Sequence, residues 1–463
     1  MFVEQIYTKC LAEAAYYIES NGEVAIIDPL REVEPYIQMA KERGAKIKYV
    51  FETHFHADFV SGHIDLAKQT GATIVFGPNA EAGYDIYNGT DGEVFNIGDV
   101  SLTLLHTPGH TMESSCYLLK DSEGNQHAVF TGDTLFVGDV GRPDLAVKSG
   151  KITQNDLAGF MYDSLRNKLM KLPDHVIVYP AHGAGSSCGK NLGSETTSTI
   201  GEQKATNYAL QSMSKEDFIQ EVTDGLLAPP PYFFKDAMLN KNGYESIDVV
   251  VETNNKALSS QEFAKEIAAG AFILDTRKPR DFAVRHVKSA VNIGLNGQYA
   301  PWVGAIIPTD AKIVLVADQG KEKEAIIRLA RVGYDYVAGF LDGGINAWEG
   351  ECSTIHDVST EEGVELIKNQ SKLILDVRKP GEVETAHVCG SQHIRLQELP
   401  SRFTQLKKDT PIAIYCAGGY RSMIAASFLQ KQGFSNITNI QGGFGKLQQF
   451  DIQMVEGQSC SNS

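Results

Sequence analysis

A chain of 463 residues exceeds what one hydrophobic core organises; domains of ~100–200 residues predict two to four units, with three as the working number. Its 42% hydrophobic and 22% charged residues exclude a disordered or fibrous polymer and leave each unit a core to bury. Lys plus Arg total 42 against 58 Asp plus Glu, a net charge of −16 that repels phosphate backbones and anionic lipid, so neither nucleic acid nor a membrane is an expected partner.

The opening residues, Met1 to Ile6, lack a basic leader region, and no apolar run approaches the ~18 residues that span a bilayer, so a cytoplasmic protein is expected. The cysteines, Cys10, Cys116, Cys188, Cys352, Cys389, Cys416 and Cys460, are odd in number and scattered through a chain that needs no disulfide staples. That predicts free thiols in a reducing compartment.

Apolar alternation on both sides of Asn21-Gly22 predicts a β-hairpin. A helix over Glu32 to Arg43 stops at Gly44, and a buried strand over Ile47 to Phe51 delivers Thr53-His54-Phe55-His56-Ala57-Asp58. Strand and helix signals alternate as far as Asp174 to Pro180, the pattern of a layered α/β domain. Pro229-Pro230-Pro231 cannot continue a helix, so the first domain is expected to end there or shortly after, giving residues 1–250.

Beyond that point the chain repeats itself at a period of about a hundred residues. Ser259-x-x-Glu262 and Ser359-x-x-Glu362 are both capping-box signals. Leu274-Asp275-Thr276-Arg277-Lys278-Pro279 returns as Leu375-Asp376-Val377-Arg378-Lys379-Pro380, and Gly343-Gly344 returns as Gly442-Gly443. Two copies of one α/β domain are expected, over residues 258–352 and 359–455.

Four motifs in the first domain follow predicted strands: His54-Phe55-His56-Ala57-Asp58, His110 in Thr107-Pro108-Gly109-His110, Asp133 in Thr131-Gly132-Asp133, and His182 in Pro180-Ala181-His182-Gly183. One such histidine is ordinary core; four ordered motifs at strand ends form a set of imidazoles and carboxylates suited to a metal ion. Their order and wording resemble the metallo-β-lactamase superfamily over roughly residues 1–230. The resemblance implies an αββα sandwich. Two-metal hydrolases of that superfamily, such as glyoxalase II, have a further metal-binding histidine directly after the motif aspartate, where this chain has Phe59. Its loss argues for one metal per chain, held by His54, His110 and Asp133.

Two histidines and one carboxylate with open positions are the facial triad of non-haem Fe(II) oxygenases. Fe(II) is therefore the expected cofactor, with zinc as the alternative. Phe59 and the Thr131-Gly132-Asp133 segment running on to Gly141-Arg142-Pro143-Asp144 resemble the persulfide dioxygenase branch, in which His56 stands near the iron without being a ligand. His56, Asp58 and His182 are then expected behind the ligands. The glycine- and serine-rich stretch Gly183 to Lys190 is expected to be a mobile loop; its Cys188 is either a small buried hydrophobe or a residue that accepts a persulfide. Arg142 is expected either to bind an anionic substrate tail or to form an ion pair.

Cys416-Ala417-Gly418-Gly419-Tyr420-Arg421-Ser422 joins a strand ending at Tyr415 to a helix over Met423 to Gly433. Such a loop aims backbone N–H groups and a helix N-terminus at one sulfur, and Arg421 adds a fixed charge. With Asp376-Val377-Arg378 and Gly442-Gly443, it resembles the rhodanese family, whose loop cysteine carries sulfane sulfur. The first copy has Ala317 and Glu322 where Cys416 and Arg421 stand in the second, and is expected to be silent, with a scaffold, docking or dimer-forming role. The fold expected overall is a metallo-β-lactamase sandwich followed by two α/β rhodanese-like domains.

These resemblances together imply an enzyme that oxidises low-molecular-weight persulfides with O2 to sulfite and couples this to sulfur transfer that can yield thiosulfate, as a homo-oligomer. A zinc thioesterase with rhodanese binding modules, and a persulfide sensor or sulfur carrier active only at Cys416, are the alternatives.

Overall fold

Asn21 and Gly22 both have positive φ, 46° and 76°, and Ser20 pairs with Glu23 across them. This two-residue turn matches the twist of its flanking strands. It begins a sheet of six strands, Phe2–Thr8, Glu13–Ser20, Glu23–Ile27, Lys46–Phe51, Thr73–Phe76 and Tyr87–Asn88, in that spatial order. A second six-stranded sheet is ordered Ser198–Thr199, Ile177–Pro180, Gln126–Gly132, Ser115–Lys120, Val100–His106 and Val94–Ile97.

The two sheets face each other over Tyr16, Phe51, Phe95, Leu104, Tyr117 and Phe130. The outer face of the first sheet buries Val24, Ile26 and Val50 against Tyr36 and Leu66 of its helices. On the second, Leu118, Val129 and Val178 meet Met161, Leu165 and Phe218. Strands buried on both faces carry nearly continuous apolar runs, which is why alternation fades after the hairpin. The result is the expected four-layer αββα sandwich.

The computed structural model describes residues 1–147 and 151–457. It forms two compact units: Met1–Val249 with Ala330–Gly333, and Val250–Leu329 with the chain from Tyr334 onward. No helix among the described residues is long and apolar enough to cross a membrane.

The second unit contains the two repeats. Each has a five-stranded sheet of the same order: Ala257–Leu258, Val337–Leu341, Ile313–Val316, Phe272–Asp275 and Val291–Asn292 in one, and His356–Val358, Ile437–Ile440, Ile412–Tyr415, Leu373–Asp376 and Gln392–His393 in the other. Both capping boxes form. The repeated Asp-x-Arg is a structural clamp. Arg277 reaches back to Asp275 at 2.6 Å and to the Arg285 carbonyl at 2.8 Å, and Arg378 reaches Asp376 at 2.7 Å and the Ala386 carbonyl at 2.8 Å. Each pair is buried and hydrogen-bonded, as a charge away from water requires.

Candidate functional site

All four metal-site motifs sit where a strand of the sandwich ends. Lys46–Phe51 releases the His54 segment, Val100–His106 precedes His110, Gln126–Gly132 hands over directly to Asp133, and Ile177–Pro180 precedes His182. Gly132 has φ +51°, and a Cβ on it would lie 2.6 Å from the Thr53 side chain. Only glycine lets the two sheets approach closely enough for Asp133 to meet His54.

His54, His110 and Asp133 come together in the protein interior. Asp133 Oδ2 is 3.8 Å from His54 Nε2 and 3.5 Å from His110 Nε2, and its Oδ1 is 3.5 Å from His182 Nε2. Each imidazole is oriented from behind through Nδ1. His110 Nδ1 lies 2.8 Å from the Arg142 carbonyl and His182 Nδ1 lies 3.2 Å from the Ala12 carbonyl; a carbonyl only accepts, so Nδ1 carries the proton. His54 Nδ1 lies 2.9 Å from Thr53 Oγ1, whose one proton goes to Asp28 Oδ2 at 2.8 Å, so here too Nδ1 donates. Three Nε2 lone pairs therefore converge on one carboxylate. Burial, then the neighbouring His56, His110 and His182, holds His54 well below its ordinary pKa, in the neutral form that ligates metals.

Asp133 is buried, and among the described residues neither of its oxygens accepts a hydrogen bond; the same holds for Asp58 Oδ1 and His182 Nε2. Buried polar atoms are normally satisfied, and a cation is the partner that suits carboxylate and lone-pair nitrogen together. The donor set of His54, His110 and Asp133 fits a divalent ion with positions left for other ligands.

Behind this triad lies a second group, His56, Asp58 and His182. His56 turns Nε2 toward Asp28 Oδ1 at 3.1 Å and Glu52 Oε2 at 3.4 Å. Burial opposes its charge, but the Asp28 carboxylate and then Glu52 lift its pKa to about 10. Phe59 is fully buried, with its ring centroid 4.4 Å from that of His56. Glu52 also accepts from Ser61 Oγ at 2.6 Å.

Cys188 is buried, with Sγ within 4.8 Å of ligand atoms of Asp133 and His182. Burial, then the Asp58 and Asp133 carboxylates, pushes its thiol well above the usual pKa. The segment carrying it, expected to be a mobile loop, hydrogen-bonds to residues on either side of the site. The Arg142 N–H donates to the Cys188 carbonyl at 2.9 Å, and Lys190 and Asn191 N–H groups donate to Asp139 Oδ2 at 2.7 and 2.6 Å. Arg142, one reading of which was substrate binding, forms the ion pair. Its guanidinium meets both Asp144 oxygens at 2.6 and 2.7 Å and the Ser187 and Leu227 carbonyls at 3.2 and 2.6 Å. Four of its five N–H donors are engaged in this way, and Arg142 also aims His110 through its carbonyl.

A cavity of about 470 Å³ adjoins the triad at His110, lined by Phe55, Ala57, Met112, Phe233, Phe234 and Lys241 among others. Part of its wall is the helix Phe233–Asn242, which follows the proline run. Asn240 of that helix donates to the His56 and Phe59 carbonyls, both at 2.8 Å, and accepts from Ser61 N–H at 2.9 Å. An asparagine in a run of Phe, Ala, Met and Leu was the only local hint.

In the second unit Cys416 follows the strand Ile412–Tyr415, and Gly419 N–H donates to its sulfur at 3.1 Å. The helix starts at Tyr420, earlier than expected, so Arg421 and Ser422 belong to its first turn. Ser422 Oγ stands 3.5 Å from the sulfur. Gly442 and Gly443, both at positive φ, pass beneath the loop, where the Phe444 and Gly445 N–H groups take the Cys416 and Ala417 carbonyls at 2.6 and 3.0 Å. Arg421 lines the same cavity as Cys416, but Glu382 engages it through two bonds of 2.7 Å, so its charge is largely compensated. In the first copy Ala317 occupies the corresponding strand end, buried.

Cys10, Cys116, Cys188, Cys352 and Cys416 are free thiols. Cys389 is disulfide-bonded, which corrects the expectation of free thiols throughout; Cys460 lies outside the described residues.

Residues 8–182 match the metallo-beta-lactamase superfamily, and residues 259–351 and 359–449 each match the rhodanese-like domain. The chain is 32% identical over 213 residues to the mitochondrial persulfide dioxygenase ETHE1 of Mus musculus, covering 46% of this chain and 75% of the mouse protein. It is 37% identical over 162 residues to the probable hydroxyacylglutathione hydrolase glo2 of Schizosaccharomyces pombe, covering 34% of this chain and 58% of the yeast protein, so it spans less than two thirds of that relative. A solved metallo-beta-lactamase structure from Staphylococcus aureus is similar with a TM-score of 0.64 at 31% identity, covering 74% of this chain and 98% of that one. The chain belongs to the metallo-β-lactamase superfamily and joins a metallo-β-lactamase domain to two rhodanese-like domains, in a fusion family related to the persulfide dioxygenases.

Proposed function

We propose that the first unit oxidises low-molecular-weight persulfides to sulfite with one Fe(II) held by His54, His110 and Asp133, and that Cys416 moves sulfane sulfur. The observation that carries this reading is the buried Asp133 carboxylate, with no hydrogen bond to either oxygen among the described residues, facing the imidazoles of His54 and His110. Fe(II) in such a triad supplies activation of O2 and sulfur. The chain's own work is to aim the ligands through Thr53, Asp28 and the Arg142 carbonyl, and to receive the thiol carrier in the apolar cavity beside His110. The terminal sulfur gains two oxygen atoms from O2 and one from water and leaves as sulfite, while the carrier leaves as its thiol.

At Cys416 the exchange is redox-neutral. The sulfite lone pair attacks the outer sulfur of the Cys416 persulfide, the S–S bond breaks, and its electron pair stays on Sγ as thiosulfate departs. The Gly419 N–H and the N-terminus of the helix Tyr420–Lys431 stabilise the sulfur anion at each stage.

A two-metal thioester hydrolase is the second reading, favoured by Asp58 Oδ1 and His182 Nε2, which also lack hydrogen-bond partners among the described residues, and by the hydroxyacylglutathione hydrolase relative. Phe59, buried where a further ligand would stand, and His56, turned into Asp28 and Glu52, weigh against it. The two readings separate in one assay of the full chain. O2 uptake with sulfite release from glutathione persulfide supports the dioxygenase; hydrolysis of a hydroxyacylglutathione thioester without O2 uptake supports the hydrolase.

A further inference from the structure

Between Asp133 and Arg142 the chain passes through Asp139, a buried carboxylate that is none of the ligands. Its Oδ1 accepts from Val140 N–H at 2.8 Å and Tyr208 O–H at 3.0 Å, and its Oδ2 from Lys190 N–H at 2.7 Å and Asn191 N–H at 2.6 Å. A carboxylate offers about four lone-pair sites, so all are taken. Burial and then the Asp139 carboxylate push the Tyr208 hydroxyl above its ordinary pKa, which keeps it a donor. Gly189 leaves the room this needs, since a Cβ there would lie 3.0 Å from Asp139 Oδ2 and 2.5 Å from the Leu192 side chain.

The bonds link Asp139 to the triad on two sides. Within its own turn Gly141 N–H donates to the Asp133 carbonyl at 3.0 Å, and the Arg142 carbonyl takes the proton of His110 Nδ1 at 2.8 Å. Across the turn stands the segment that carries Cys188, whose Sγ lies within 4.8 Å of ligand atoms of Asp133 and His182. Gly193 N–H adds a bond from that segment to the Val137 carbonyl at 2.8 Å. From behind, Asn207 Nδ2 donates to the Phe136 and Asp139 carbonyls at 3.2 and 3.0 Å. A displacement at Asp139 therefore reaches two ligands and Cys188 together, whereas the lining of the cavity beside His110 comes from other segments.

We infer that Asp139 is a positioning residue of the oxidation site: its carboxylate bonds the Cys188 segment to the turn between Asp133 and Arg142 and so holds Asp133, His110 and Cys188 in register. The inference rests on the reading that the first unit oxidises persulfides at this triad. Shape alone does not do this work. Asparagine at 139 keeps one acceptor oxygen, and its NH2 group would face N–H or O–H donors, leaving buried groups unsatisfied.

The test uses the full chain with its iron and two readouts. Asp139→Asn is expected to lower kcat for O2 uptake with glutathione persulfide, counted per bound iron, by about 10–100-fold, the scale of a ~1 Å misplacement. KM should stay within about twofold. Iodoacetamide labelling of Cys188, followed by peptide mass spectrometry, should quicken at least ~10-fold as the segment opens. Thiosulfate:cyanide transfer at Cys416, in the second unit, should stay within about twofold and reports a folded chain. Tyr208→Phe removes one donor and leaves the carboxylate; it should move both readouts the same way by about threefold, and it carries the test if Asp139→Asn does not fold. Wild-type values in either readout, or a raised KM with kcat per iron unchanged, overturn the inference. A wild type that takes up no O2 with the persulfide overturns the oxidation reading and this inference with it, whereas variants that match an active wild type overturn the inference alone.

Discussion

The two rhodanese-like copies share a sheet order, a capping box, an Asp-Arg clamp at the second strand and a glycine pair at positive φ, yet only the second places a cysteine, Cys416, at the turn from strand to helix where the first has Ala317. Fold and chemistry are therefore written in different residues. The clamp and capping box hold the frame in both copies, whereas the turn from strand to helix decides what the frame can do. In the active copy Gly419 faces its N–H to Cys416 Sγ at 3.1 Å; in the silent copy Ala317 has no group to receive it.

The largest effect that sharpens this contrast is expected from Cys416→Ser. Thiosulfate:cyanide transfer should fall at least ~1,000-fold, as removal of a covalent nucleophile does, with O2 consumption on glutathione persulfide within about twofold. Adding Ala317→Cys to that variant should not restore transfer, because Glu322 stands where Arg421 does and its charge opposes an anionic sulfur. Recovery of even a tenth of wild-type rate would break the comparison between the copies.

Next in size is the contrast between the two histidine groups in the first unit. His110→Ala should reduce bound iron below about a tenth of wild type, since only two protein ligands remain. His56→Ala should keep more than half, because its Nε2 is turned toward Asp28 and Glu52. Metal analysis showing equal loss in both would put His56 among the ligands.

The smallest effect compares the glycine pairs. A Cβ at Gly443 would lie 2.2 Å from the Cys416 carbonyl, whereas one at Gly344 would lie 3.2 Å from the Ala317 carbonyl, and both have positive φ. Gly443→Ala should cost about 2–3 kcal/mol and lower transfer by displacing the loop, and Gly344→Ala about 1 kcal/mol with transfer unchanged. Thermal unfolding and the cyanide assay together check both.

Much of this was legible in the sequence. The turn at Asn21-Gly22, the histidine and aspartate motifs at strand ends, and the hundred-residue repeat are local patterns, and local patterns survive without coordinates. What was not legible depends on partners far apart in the chain. Asn240 meets the His56 and Phe59 carbonyls from a helix after the proline run, Arg142 spends its guanidinium on Asp144 and two carbonyls, and Thr53 passes the Asp28 carboxylate's influence to His54. Each involves an ordinary residue whose role exists only once another element arrives. The helix expected from Met423 starts at Tyr420 for a simpler reason, since glycines before it blur where helical geometry begins.

Metal analysis of the full chain purified without oxygen tests the central claim most directly. The account predicts one iron per chain, lost on His110→Ala, with Asp133 satisfied by the ion it lacks a hydrogen-bond donor for. Two zinc ions per chain, held with the help of His56, Asp58 and His182, would contradict it.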